Sequence, residues 1–118
     1  MMDENSYAWS AGIWEADGSG GIWTNHGLAP VIKVVMNDIE ILKTLKYLFK
    51  GSICEDMKGR KAAKGYRYTK PMFKWYVSRR LALNFALKVI PYVKGRKREI
   101  IIKIIKYYNK DITSRYQV

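Results

Sequence analysis

Small residues recur at every fourth position near the start of the chain, as Ala8, Gly12 and Ala16, in a helix-favouring run that closes Glu15-Ala16-Asp17-Gly18. A step of four puts all three on one helical face. A strip with so little side chain is filled only by something that approaches closely, such as a second backbone. A helix packed tightly on its own sheet would use the same strip, and the spacing leaves both open. Trp9 and Ile13 lie on the neighbouring face, where they can meet a core. Asp17 falls at the C-terminal end of this helix, where the macrodipole and unpaired carbonyls already present negative charge. A carboxylate there is disfavoured by roughly several tenths of a kcal/mol. Two such ends brought together would make an oxygen site suited to Mg²⁺.

The 118 residues, 48% of them hydrophobic, suffice for one domain with a core. The acidic start (Met1-Met2-Asp3-Glu4) has no apolar segment, so a secretory signal is not expected, and no stretch approaches a membrane span. A single cysteine, Cys54, excludes an internal disulfide and a cysteine zinc site, and suits a reducing, intracellular compartment. Heavy use of Lys, Ile and Tyr hints at an AT-rich genome of organelle, bacterial or phage origin. The lone histidine, His26, rules out nuclease and protease schemes built on several histidines and reads as a turn residue.

The net charge is +12, and it is unevenly spread: all but one of the 22 bases follow residue 40, whereas six of the ten acids lie within residues 1–40. Such a field draws in nucleic acid by counterion release. A basic proteome or an acidic membrane surface would also suit a basic chain. Here, however, the bases fall on strand-like segments interleaved with Tyr and Trp rather than on one amphipathic helix.

The spacing predicts a first helix from an Asn5 or Ser6 cap to about Ala16, stopped by Gly18 in the left-handed region. Ser19, Gly20 and Gly21 read as a flexible joint into a short strand over residues 22–25, and a second strand covers 30–36. Asn37 is expected to cap a second helix, with Glu40 in a capping-box position and Gly51 at its end. A third strand over 52–57, a basic hairpin tip over 58–65 and a long fourth strand over 66–77 follow. Pro71 calls for a bulge or an edge within that strand. Ser78 caps a third helix ending near Pro91, and a basic loop over 94–98 leads into a last helix to about Asn109. On the fourth strand Tyr66, Tyr68, Lys70, Met72, Lys74 and Tyr76 share one face, while Phe73, Trp75 and Val77 share a core face.

Gly12, Glu15, Ala16, Asp17 and Gly18, with this element order behind them, resemble the single-motif LAGLIDADG homing endonucleases. Ser10 and Trp14 depart from the motif. Further matches are Asn37-Asp38 opening the second helix, Trp75-Tyr76-Val77-Ser78 entering the third, and Pro91-Tyr92-Val93 followed by bases. The resemblance covers nearly the whole chain. It implies an α+β fold, αββαββα plus a C-terminal helix, whose four-stranded antiparallel, saddle-like sheet is backed by helices. It further implies a homodimer joined through Ala8, Gly12 and Ala16, acting on double-stranded DNA.

In that family the last acid of the motif binds the metal together with the preceding carbonyl, here Asp17 and Ala16 with Mg²⁺. Glu15 is expected to be structural. A family lysine near the scissile phosphate aligns with Arg96, which keeps the charge but cannot act as a base. Lys33, Lys74 and Tyr76 fall on groove-facing positions. Lys58, Arg60, Lys61, Arg67, Lys70, Lys94, Lys97 and Arg98 complete the expected DNA contacts. Met36 and Glu40 align where some relatives carry polar and basic groups near the active-site water. A contrasting expectation keeps the fold without cutting, as a maturase on intron RNA or a degenerate DNA-binding relative.

Overall fold

The computed structural model describes residues 4–23, 29–55 and 71–116. The elements follow in the order α1 (Glu4–Asp17), β1 (Gly18–Trp23), β2 (Ala29–Met36), α2 (Ile39–Phe49), β3 (Ser52–Glu55), β4 (Phe73–Ser78), α3 (Arg79–Val89), a 3₁₀ turn (Ile90–Tyr92) and α4 (Gly95–Tyr116). The strands form one antiparallel sheet ordered β1-β2-β4-β3. This is the expected α+β arrangement of four helices and four strands.

Period-two alternation divides the sheet. Ile32, Val34, Trp75 and Val77 are buried on one face against the helices. At the centre of that layer Trp14, Phe49, Trp75 and Phe85 pack edge to face or tilted, with Phe49 and Phe85 4.8 Å apart at their ring centroids. The two indole N–H groups are satisfied: Trp14 Nε1 donates to the Ser19 carbonyl at 3.0 Å and Trp75 Nε1 to that of Lys50 at 2.8 Å. Leu42, Leu45, Leu48 and Phe49 turn the apolar stripe of α2 onto this cluster. Ile101 and Ile104 do the same from α4.

Several boundaries depart from the sequence reading. In α1 the buried residues are Ser10, Ala11 and Trp14, while Trp9 remains 38% exposed and Ile13 packs at the core margin. The large indole of Trp14 selects the buried face, and that choice rotates Trp9 outward. Gly18 is not a left-handed stop, since the described glycines with positive φ are Gly51 and Gly95. It opens β1 directly, so Ser19, Gly20 and Gly21 are strand rather than joint. The cap of α2 is Asp38 rather than Asn37; its Oδ1 accepts from the Glu40 and Ile41 amides at 3.1 and 3.4 Å. Ser78 holds the N-cap position of α3 without a side-chain cap bond. The basic segment expected as a loop is mostly helix, because α4 begins at Gly95. Within the described residues β4 starts at Phe73, and the rest of the long strand expected over 66–77 lies largely outside them.

Gly18 is required for a steric reason. A Cβ added there would lie 2.6 Å from the Trp14 carbonyl oxygen and 2.7 Å from Trp14 Cγ, and neither can retreat from the core. Gly18→Ala should therefore cost about 1–3 kcal/mol. Thermal unfolding should move down by roughly 5–10 °C; an unchanged midpoint would contradict the close approach.

Candidate nucleic-acid interface and cation site

The outer face of the sheet carries Ser19 and Trp23 of β1, Lys33 of β2, Ser52 of β3, and Lys74 and Tyr76 of β4. Strand pairing sets Ser19 opposite Lys33, Lys33 opposite Tyr76 and Tyr76 opposite Ser52, so these four form one row across the sheet. A neighbouring row joins Val35, Lys74 and Cys54. Lys33 Nζ lies 4.9 Å from the Trp23 ring centroid, and Lys74 Nζ lies 5.2 Å from that of Tyr76. The sheet thus brings together Lys33, Lys74 and Tyr76, all expected from the sequence. It adds Trp23, 38% exposed, which the sequence reading passed over. The signal for Trp23 was its place two residues beyond Gly21 once β1 is taken to begin at Gly18. Lys58, Arg60, Lys61, Arg67 and Lys70 lie outside the described residues, as does His26.

On α1 the strip of Ala8, Gly12 and Ala16 is exposed and faces away from the chain's own core. A Cβ built on Gly12 meets nothing within 4 Å, so nothing among the described residues accounts for a glycine there. Beside the strip runs an open groove of about 650 Å³, closed on its far side by Pro91, Tyr92 and Lys94. Asp17, at the end of the same helix, is exposed. Among the described residues no three His, Cys, Asp or Glu side chains gather into a metal site. A cation at Asp17 and the Ala16 carbonyl therefore needs further oxygens from water, a phosphate or a second copy. The donors at this place are hard oxygens, which fit Mg²⁺.

The start of α4 is built onto the end of α1. Glu15 Oε1 accepts from the Lys94 backbone N–H at 3.0 Å, giving Glu15 the structural role expected of it. Lys97 Nζ donates to the carbonyls of Trp14, Glu15 and Gly18 at 3.0, 2.8 and 2.6 Å. It also lies 5.4 Å from the Trp14 ring centroid. Burial pushes this ammonium below the ordinary lysine value, while the Asp17 and Glu15 carboxylates pull it upward. Lys97 is thus not the outward phosphate anchor that its basic neighbours suggested: its protons are used inside the fold. The misreading was physical in origin, because only the packing of α4 reveals which base in the run turns inward.

Arg98 Nη1 donates to the Ile90 and Val93 carbonyls at 2.7 and 3.4 Å, tying the 3₁₀ turn to α4. Lys94 and Arg96 remain exposed. Met36 packs against the core, and Glu40 pairs with Lys43 at 3.2 Å on the surface of α2. Among the described residues no helix is long and apolar enough to cross a membrane.

No protein-family model and no curated protein sequence matches the chain. Solved structures do. The homing endonuclease I-CvuI in complex with its target, in the presence of Ca, is 18% identical at a TM-score of 0.66, over 95% of this chain and 71% of that one. The archaeal intron-encoded homing endonuclease I-Vdi141I, complexed with DNA, is 17% identical at a TM-score of 0.67, over 99% and 75% of the respective chains. The LAGLIDADG homing endonuclease I-LtrWI, bound to target DNA, is 16% identical at 0.56, and this chain spans 40% of it. The chain has the LAGLIDADG homing-endonuclease fold. The expectation drawn from nine residues and an element order therefore holds for the architecture.

Proposed function

We propose that this chain is a homing endonuclease of the intron or intein kind: as a homodimer it makes a sequence-specific, Mg²⁺-dependent double-strand break in near-palindromic DNA. The observation that carries this reading is the uncovered strip of Ala8, Gly12 and Ala16 leading to an exposed Asp17. A helix face of small residues lets a second backbone approach closely. A carboxylate against the macrodipole is costly unless a cation meets it.

In this reading two copies pair their α1 helices about a two-fold axis. Each contributes Asp17 and the Ala16 carbonyl to hold the cation. When bound, the divalent cation supplies Lewis-acid help to the attacking water and to the leaving oxygen of the phosphodiester. Arg96 offers a fixed positive charge to the phosphate as negative charge develops, and it cannot take up a proton. The sheet of each copy lies along the major groove, with Lys33, Lys74 and Tyr76 at base edges. Lys94 and the free edge of Arg98 hold phosphates, and Lys58, Arg60, Lys61, Arg67 and Lys70 extend the contact. One sheet covers about one half-site, so a dimer reads about two turns of duplex, roughly 34 Å each. The DNA held by I-CvuI and I-Vdi141I supports this assignment.

A second reading, the same fold used to bind intron RNA or DNA without cutting, draws on Met36 and Glu40, which supply no group to a catalytic water network. Selection of duplexes from a randomised pool tests the binding half of the proposal. It should enrich a near-palindromic site; enrichment of RNA alone, or of no sequence, would count against it. In the same selection Lys33→Ala or Lys74→Ala should change the preferred base at one position of each half-site, at about 1–3 kcal/mol. Lys94→Ala should instead weaken all sequences alike and flatten the salt dependence. Uniform weakening by all three variants would remove the base-reading role of the sheet.

A further inference from the structure

The C-terminal end of α1 is held by one side chain from the far end of the sequence. Lys97 Nζ reaches the carbonyls of Trp14, Glu15 and Gly18, 79 to 83 residues away, at 2.6 to 3.0 Å. An ammonium has three donor protons and no acceptor, so three carbonyls use it fully. A lysine suits this place because its charge is compact and its donors diverge, whereas the flat fork of an arginine would not meet three carbonyls around one turn. The carbonyls it takes do not include that of Ala16. Asp17 acts on the same ammonium as an attractive charge without receiving one of these bonds. The cation-seeking oxygens and the lysine-held oxygens are therefore different atoms on one helix end.

This division matters for assembly. When two helix C-termini meet, each brings the negative end of its dipole and a carboxylate, and the pair repels itself. We propose that Lys97 is a built-in counter-ion of the dimer's cation site. It neutralises the end of α1 so that two copies can pair before a divalent cation arrives, and it leaves Asp17 and the Ala16 carbonyl open for that cation. This rests on the dimeric reading above. Lys97 is in this account a positioning residue, acting through α1 rather than on DNA.

The test measures dimer dissociation by sedimentation, in EDTA and in Mg²⁺, for the natural chain, Lys97→Gln and Lys97→Met. Glutamine keeps amide donors without the charge; methionine keeps the volume without either. The natural chain should dimerise already in EDTA and gain less from Mg²⁺ than Lys97→Gln does, since a cation shared by two copies strengthens any pair that holds it. Lys97→Gln should lose at least about tenfold in dimer affinity in EDTA and regain it in Mg²⁺, because the metal replaces the missing charge. Equal weakening in both buffers would make Lys97 a plain helix cap and overturn the proposal, as would Lys97→Gln pairing normally in EDTA. If both variants unfold in EDTA, circular dichroism decides: refolding on adding Mg²⁺ supports the counter-ion, and failure to refold overturns it. A natural chain that stays monomeric in both buffers fails at an earlier point, removing the dimer itself and this proposal with it.

Discussion

Asp17→Asn should abolish cleavage while leaving the protein folded and able to bind DNA. The side chain is exposed, so no core contact depends on it. Its replacement relieves one unfavourable meeting with the helix dipole and removes one attraction to Lys97, two small effects of opposite sign. Stability should therefore stay within a few tenths of a kcal/mol. The loss in rate is of another order. In the proposed mechanism, removing the carboxylate that would hold the cation forfeits several kcal/mol of stabilisation of the developing charge, and about 4 kcal/mol is a thousandfold in rate. Single-turnover cleavage of a bound duplex is the appropriate measurement, because it separates chemistry from binding. Normal cutting by Asp17→Asn would show that the metal site is elsewhere.

Gly12→Leu should separate the two properties of α1 in the opposite way. Among the described residues of the single chain a Cβ at Gly12 meets nothing within 4 Å, and leucine favours helix over glycine by about 0.8 kcal/mol. The monomer should thus be as stable as before, or slightly more so. In the dimer the same side chain would stand between two backbones, once from each copy. Overpacking costs about 1–3 kcal/mol at each position, so the dissociation constant should rise by about a hundredfold or more. Sedimentation should show the mass halved while circular dichroism shows the helix content unchanged. A variant that remains dimeric would place the partner on another surface. One such surface is the groove of about 390 Å³ beside Trp9, Tyr47 and Leu48.

The architecture was legible because its signals are local. The helical spacing of Ile39, Leu42, Leu45 and Phe49 gave α2, and the alternation of Phe73, Trp75 and Val77 against Lys74 and Tyr76 gave the two faces of β4. The groove-facing position of Lys33 came from the resemblance, and its pairing with Tyr76 sets both side chains on one face. What escaped the sequence depends on contacts between distant residues. Gly18 was read as a helix stop, since glycine after a helix usually is one, but its actual constraint is the indole of Trp14 pressed against it. Trp9 and Trp14 are alike as letters, and only the packing against Phe85 decides which is core. Lys97 stands among Lys94, Arg96 and Arg98 with nothing local to mark it, yet it alone reaches the carbonyls at the end of α1. The aromatic company of Lys33 was likewise hidden, because Trp23 joins the sheet face only when β1 begins five residues before it.

These positions share one consequence. Most of the candidate chemistry is gathered at the junction where α1 ends, β1 begins and α4 starts, and in the single chain that junction is open. Its carboxylate faces solvent, its small-residue strip is uncovered, and its internal cation is already engaged. The proposed function turns on whether a pair of chains cuts DNA there. The direct measurement takes the duplex enriched by selection, adds the purified protein, and follows both strands in Mg²⁺ and in EDTA. Both strands should be cut at positions related by a two-fold axis, in Mg²⁺ only. A duplex that is bound tightly by the protein and yet stays intact in Mg²⁺ would contradict the proposed function.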